Sequence, residues 1–140
     1  ITLGYADAAV EAALLQAGAA VGRAPVTPVA SLTAIERAQA AAAALHLHPD
    51  LAAYAQRVVQ GTRDHAELAQ GVSTRGALAW VATARARAWL DGRDHVGIDD
   101  LQTLAVPALA HRVVLRTGDV AEAVAAEHVR EVLARTPVPR

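Results

Sequence analysis

The 140-residue sequence predicts an all-α fold, a small bundle of about five to six helices. Three observations carry that reading. Apolar residues recur at i, i+3, i+4 and i+7 over most of the chain. No run of useful length alternates as a strand would, except for the first few residues. Gly, Pro and short polar residues stand where each periodic run starts and stops.

The elements follow in order. Val10, Ala13, Leu14 and Ala17 form a first short stripe, with Asp7 placed to cap it and Gly18 to stop it. Residues 18–30 contain Pro25 and Pro28 and read as a loop. Ser31 or Thr33 can cap a second helix with the stripe Ile35, Ala38, Ala42 and Leu45, ending before Pro49. Leu51, Tyr54, Ala55, Val58 and Val59 fit a third helix. Residues 61–72 read as a polar loop between Gly61 and Gly71. A fourth helix is expected from Ser73 to Leu90, its apolar positions including Leu78, Val81, Ala82 and Trp89. Asp94 to Ile98 is a short extended link. Asp99 and Asp100 suit the amino end of a fifth helix, whose stripe continues to Val113 and bends at Pro107. Gly118 separates a last helix over 119–135, and Pro137 and Pro139 end the order.

Composition narrows the function. The net charge is −1, so no broad field draws nucleic acid or an acidic membrane. Arg85, Arg87 and Trp89 lie close on the fourth helix, but the two arginines point to different faces, and DNA binding is set aside. All basic side chains are Arg; with no Lys and no Cys, a Walker phosphate loop and thiol chemistry are both excluded. No apolar run spans a membrane and no signal peptide is visible, which points to the cytoplasm. The six histidines are scattered, apart from His46-x-His48, and no metal site is expected. Helix capping accounts for Asp99-Asp100, and Arg93 and Asp94 read as surface.

The run Gly71-Val72-Ser73-Thr74-Arg75 carries the strongest functional hint. Ser73 is a good N-cap, so Thr74 and Arg75 fall in the first turn. A cation there opposes the helix's positive end unless an anion joins it. Free first-turn amides plus a guanidinium make a phosphate site. The plainer alternatives are that Arg75 pairs with Asp64 or Glu67, or extends into water. Thr62-Arg63, just past the third helix, reads as a favourable charge at a helix's carboxyl end.

Several runs together resemble a known family. Gly71 to Ala79, Ala84-Arg85-Ala86, Gly92 to Val96, Asp99-Asp100-Leu101 and Pro107 to Val113 resemble the carboxyl-terminal lid of MoxR-type AAA+ ATPases. Leu3-Gly4-Tyr5 is similar to that family's hinge from the ATPase core, and Leu51-x-x-Tyr54 and Thr62-Arg63 also match. The resemblance covers nearly the whole chain. It implies a connector over 1–6, a lid over 7–135 and a tail over 136–140. It gives Arg75 the sensor-2 role, reaching the γ-phosphate of ATP in catalysis, with Ser73 and Tyr5 as further nucleotide contacts. Thr74, Ala6, Gly97 and His95 depart from the family's usual Pro, Pro, Thr or Ser, and Tyr; none removes a phosphate contact. ATP with Mg would be held mainly by a core absent from this chain, and none is expected on the fragment, which should be inactive alone. The implied partners are that core, neighbouring ring subunits and a client protein for chaperone-like assembly, with von Willebrand A domain proteins as companions. The absence of Met at Ile1 agrees with a piece of a longer protein. The rival reading is a stand-alone helical interaction or transcription-regulatory module.

Overall fold

The computed structural model describes residues 4–18, 27–118 and 122–139. The opening strand or connector (residues 1–3), most of the Gly- and Pro-containing loop, the start of the last helix and Arg140 lie outside them. The chain divides into two compact units, Ile1–Ser31 and Leu32–Arg140.

The first unit contains α1 (Ala8–Ala17). Asp7 occupies its N-cap position without a side-chain cap bond, and Gly18 ends it at φ 59°. No residue of α1 is buried, so the stripe predicted there faces outward within this unit.

The second unit is the bundle. It comprises α2 (Leu32–Ala44), α3 (Pro49–Arg63), β1 (Leu68–Gln70), α4 (Thr74–Leu90), α5 (Ile98–Leu109), a 3-10 turn (Ala110–Arg112), β2 (Val114–Leu115) and α6 (Glu122–Arg135). Pro49 sits at the first helical position of α3, where its missing N–H costs nothing. His48 caps the same helix by accepting from the Asp50 N–H at 3.2 Å. Gly61 lies within α3, which therefore takes in the first three residues of the predicted loop. The rest of that polar loop holds β1, which pairs antiparallel with β2 in the register Leu68↔Leu115 and Gln70↔Val114. This corrects the expectation of no strand beyond the first few residues. Elements two and three residues long cannot show an alternating pattern.

The core is built by Tyr54 and Val58 of α3, Trp80 and Ala84 of α4, Leu101, Ala105 and Leu109 of α5, and Val129 of α6. α4 buries Gly76, Trp80, Ala84 and Ala88 at four-residue spacing. Leu78 and Trp89 are exposed instead. Small residues on the inner face let α4 and α5 approach closely, and the Trp80 Nε1–H donates to the Leu101 carbonyl at 3.0 Å. In the second stripe only Ala42 and Leu45 are buried; Ile35 is exposed.

α5 starts at Ile98, and Pro107 lies inside it. The helix ends two residues later and tightens into the 3-10 turn, so it stops short of the predicted Val113. Its amino end overturns the reading of Arg93 as surface decoration. The Asp100 carboxylate is almost fully buried. It accepts two bonds from the Arg93 guanidinium, at 2.6 and 2.7 Å, and one from the Gly97 N–H at 2.8 Å. The Arg93 bonds hold its carboxyl below the usual carboxylate range, and the Gly97 amide adds to that against the opposing effect of burial. Capping and ion pairing thus share one side chain. No helix among the described residues is long and apolar enough to cross a membrane.

Candidate functional site at the amino end of α4

Four successive contacts fix the loop that delivers Arg75. Thr62 Oγ1, buried at the end of α3, donates to the Val59 carbonyl at 2.6 Å and accepts from the Val72 N–H at 3.0 Å. Arg63 Nε donates to the Val72 carbonyl at 2.9 Å. Both backbone groups of Val72 are therefore claimed, and its side chain is fully buried. Gly71 completes the clamp by lying flat on α3. A Cβ there would stand 2.5 Å from Arg63 N and 2.6 Å from Thr62 C and Arg63 Cα. No side chain fits that gap, so close backbone approach is the reason for the glycine. Thr62-Arg63, read from sequence as a charge at a helix end, is the support of the loop.

From this anchor the chain turns into α4. Ser73 Oγ accepts from the Gly76 N–H at 3.2 Å, as expected of an N-cap. That leaves the Thr74 and Arg75 amides as first-turn donors with no acceptor among the described residues. Arg75 is exposed and makes no ion pair or hydrogen bond there. The pairing with Asp64 or Glu67 considered from sequence does not form; Asp64 accepts instead from Gln60 Nε2 at 2.9 Å.

Two more arginines border the same turn. Arg63 bonds the loop through Nε. Arg112 packs its stem beside Gly76, where a Cβ would meet Arg112 Cδ at 3.2 Å, and its Nε donates to the Ala108 carbonyl at 3.0 Å. Among the described residues none of these three arginines pairs with a carboxylate. A helix amino end and three unneutralised guanidiniums concentrate positive potential in a chain of net charge −1. Arg63 and Arg112 were not singled out as site residues from sequence; the only signal was their place in the family-like runs. Tyr5 lies in the amino-terminal unit and is exposed.

An apolar groove of about 390 Å³ adjoins this end of α4. Leu47, Val59, Ala77, Leu78 and Val81 line it, with Arg63 and Thr74 at its edge.

The fold also corrects the picture of scattered histidines. His65, on the loop after α3, and His128, on α6, lie with ring centroids 4.7 Å apart and planes tilted by 54°, and Glu131 reaches both. His95 pairs with Asp94 at 2.7 Å, while His46 and His48 stand edge-on at 6.4 Å.

The AAA lid domain family model matches residues 60–134, which include α4 and the clamp. Over 87 residues the chain is 41% identical to the uncharacterized protein YeaC of Bacillus subtilis, covering 61% of this chain and 27% of that protein. It is 47% identical over 45 residues to protein MoxR of Paracoccus denitrificans, covering 32% of this chain and 13% of that protein. The chain thus spans about a quarter or less of the length of these curated relatives. The fold matches part of a crystal structure of a candidate ATPase from Cytophaga hutchinsonii, with a TM-score of 0.74 at 21% identity, covering 99% of this chain and 45% of that one.

Proposed function

The chain belongs to the AAA lid domain family, of the MoxR-like kind, and from that premise we propose that it closes over a nucleotide held by an ATPase core, with Arg75 as the residue that senses the γ-phosphate. The carrying observation is Arg75, exposed and unpaired among the described residues, in the first turn of α4 and held by a loop pinned to α3 through Gly71, Thr62 and Arg63. A guanidinium and two free amides suit a terminal phosphate bearing more than one negative charge. Ser73 caps the helix by accepting from the Gly76 N–H and so fixes the turn that presents those amides; Tyr5 is assigned a nucleotide contact by the family resemblance alone. These residues fit a polyphosphate; Mg²⁺ would ride with it on the core, neutralising charge there.

The mechanism is differential attraction. With a γ-phosphate present, the amino end of α4 is drawn toward the nucleotide. Its loss on hydrolysis removes that attraction, so the lid's preferred angle changes. Arg112 and Arg63 raise the local potential without making the central contact. The groove bounded by Leu78 and Val81 gives the core or a neighbouring ring subunit an apolar face beside the charged one. The working setting is a cytoplasmic ring ATPase that remodels or assembles client proteins, with von Willebrand A domain proteins among its companions. Alone, the lid lacks the groups that hydrolyse ATP.

The test is Arg75→Ala in the protein that joins this lid to its core. Turnover should fall by at least tenfold, while the circular dichroism of the 140-residue chain stays unchanged. Wild-type turnover would refute the role.

A further inference from the structure

The loop after α3 and the helix α6 meet at a cluster that the nucleotide reading does not use. The geometry points to a binding site for a divalent transition ion of the zinc class, held by His65 Nε2, His128 Nδ1 and Glu131 Oε2. The three ligand atoms lie within 4.8 Å of one another. Two of the separations are 3.2 Å (His65 to Glu131) and 3.8 Å (His128 to Glu131). Ligands about 2.0–2.2 Å from a tetrahedral ion stand roughly 3.3–3.6 Å apart, so small side-chain rotations complete the set.

A second observation supports the assignment independently. His128 Nδ1 is buried and has no hydrogen-bond partner among the described residues. A buried polar atom left unpaired costs about 1–3 kcal/mol, and an ion bridging it to Glu131 removes that cost. His65 is nearly buried and His128 mostly so, while Glu131 is half exposed. Two imidazoles and one carboxylate form a donor set suited to zinc, with a fourth position left for water or an added ligand. His65 and Glu131 also line a surface pocket of about 610 Å³, together with Asp64, Glu67 and Arg135. Three carboxylates against one guanidinium favour a cation there.

The proton arrangement is specific. His65 Nδ1 accepts from the Glu67 N–H at 3.3 Å, so Nε2 carries the hydrogen and donates to Glu131. Metal binding moves that hydrogen to Nδ1 and gives up the long, weak Glu67 bond. The ion would tie α6 to the loop that follows the Thr62-Arg63 clamp. The inference stands without the nucleotide reading.

Equilibrium dialysis of the 140-residue chain against Zn²⁺ and Co²⁺ tests it. One ion per chain is expected, with tetrahedral Co²⁺ absorption. Glu131→Gln and His128→Ala should each weaken binding at least tenfold, and Zn²⁺ should raise the unfolding temperature of the wild type without raising that of Glu131→Gln. The exposed Glu131 keeps the test sound if His128→Ala fails to fold. A double variant at His46 and His48 should bind as the wild type does. Absence of saturable binding, retention of full affinity in Glu131→Gln, or loss in the His46/His48 variant would overturn the assignment.

Discussion

Replacing Gly71 by Ala should release the loop that holds Arg75, and the cost can be worked from the contacts. Gly71 does not have a positive φ, so the penalty is steric alone. The new Cβ would stand 2.5 Å from Arg63 N, whereas ordinary contact begins at 3.4 Å, so the loop must retreat about 0.9 Å. The bonds to Val72, now 3.0 and 2.9 Å, would then lengthen past hydrogen-bond range. Each bond is worth about 1 kcal/mol, and partial exposure of the Val72 side chain adds about 1 kcal/mol. The expected loss is about 3 kcal/mol. With a urea m-value of about 1–3 kcal/mol/M, the unfolding midpoint should drop by about 1 M or more. Urea unfolding followed by circular dichroism reads this directly. A midpoint within about 0.2 M of the wild type would show that the loop is not pinned on α3 as described.

Thr62→Val should cost about 1–2 kcal/mol in the same assay because the Val72 N–H loses its acceptor, while Thr62→Ser should stay within about 0.5 kcal/mol. Asp100→Asn should cost about 1–2 kcal/mol near neutral pH, the charge-assisted Arg93 bonds being discounted for that residue's partial exposure. The folded Asp100 carboxyl titrates lower than its unfolded counterpart, so its stabilisation is present above the unfolded value of about 3.9 and is lost as pH falls through the folded one. The stability gap between wild type and Asp100→Asn should therefore close in acid; a gap that persists unchanged below pH 2 would contradict the pairing.

The helices were legible where the residues that bound them are strong. Ser73 marks the start of α4 as the structure has it, and the second helix does end before Pro49, at Ala44. The buried face of α4 was not legible. Alanine fills both sides of that helix and each side carries one Trp, so the exposed Leu78 and Trp89 compete in the apolar pattern with the buried Gly76, Trp80, Ala84 and Ala88. The β1–β2 ladder joins residues more than forty positions apart through two- and three-residue segments, too short for a period of two. Of the candidate site, Ser73 and Arg75 were visible because cap and charge are local in sequence. Its support was not, because Gly71 and Thr62 meet only when the loop folds back on α3. Distance along the chain likewise hides His65 from His128, and Arg93 from the carboxylate it binds seven residues on.

The central claim is that Arg75 distinguishes nucleotides by their terminal phosphate. The most direct measurement compares the affinities of ATPγS and ADP for the protein carrying both core and lid, with Arg75 intact and with Arg75→Ala. One charge-assisted phosphate contact is worth about 1.5–3 kcal/mol, so the variant should lose roughly 10- to 150-fold of its affinity for ATPγS and little for ADP. An equal loss for both nucleotides, or none for either, would contradict the account.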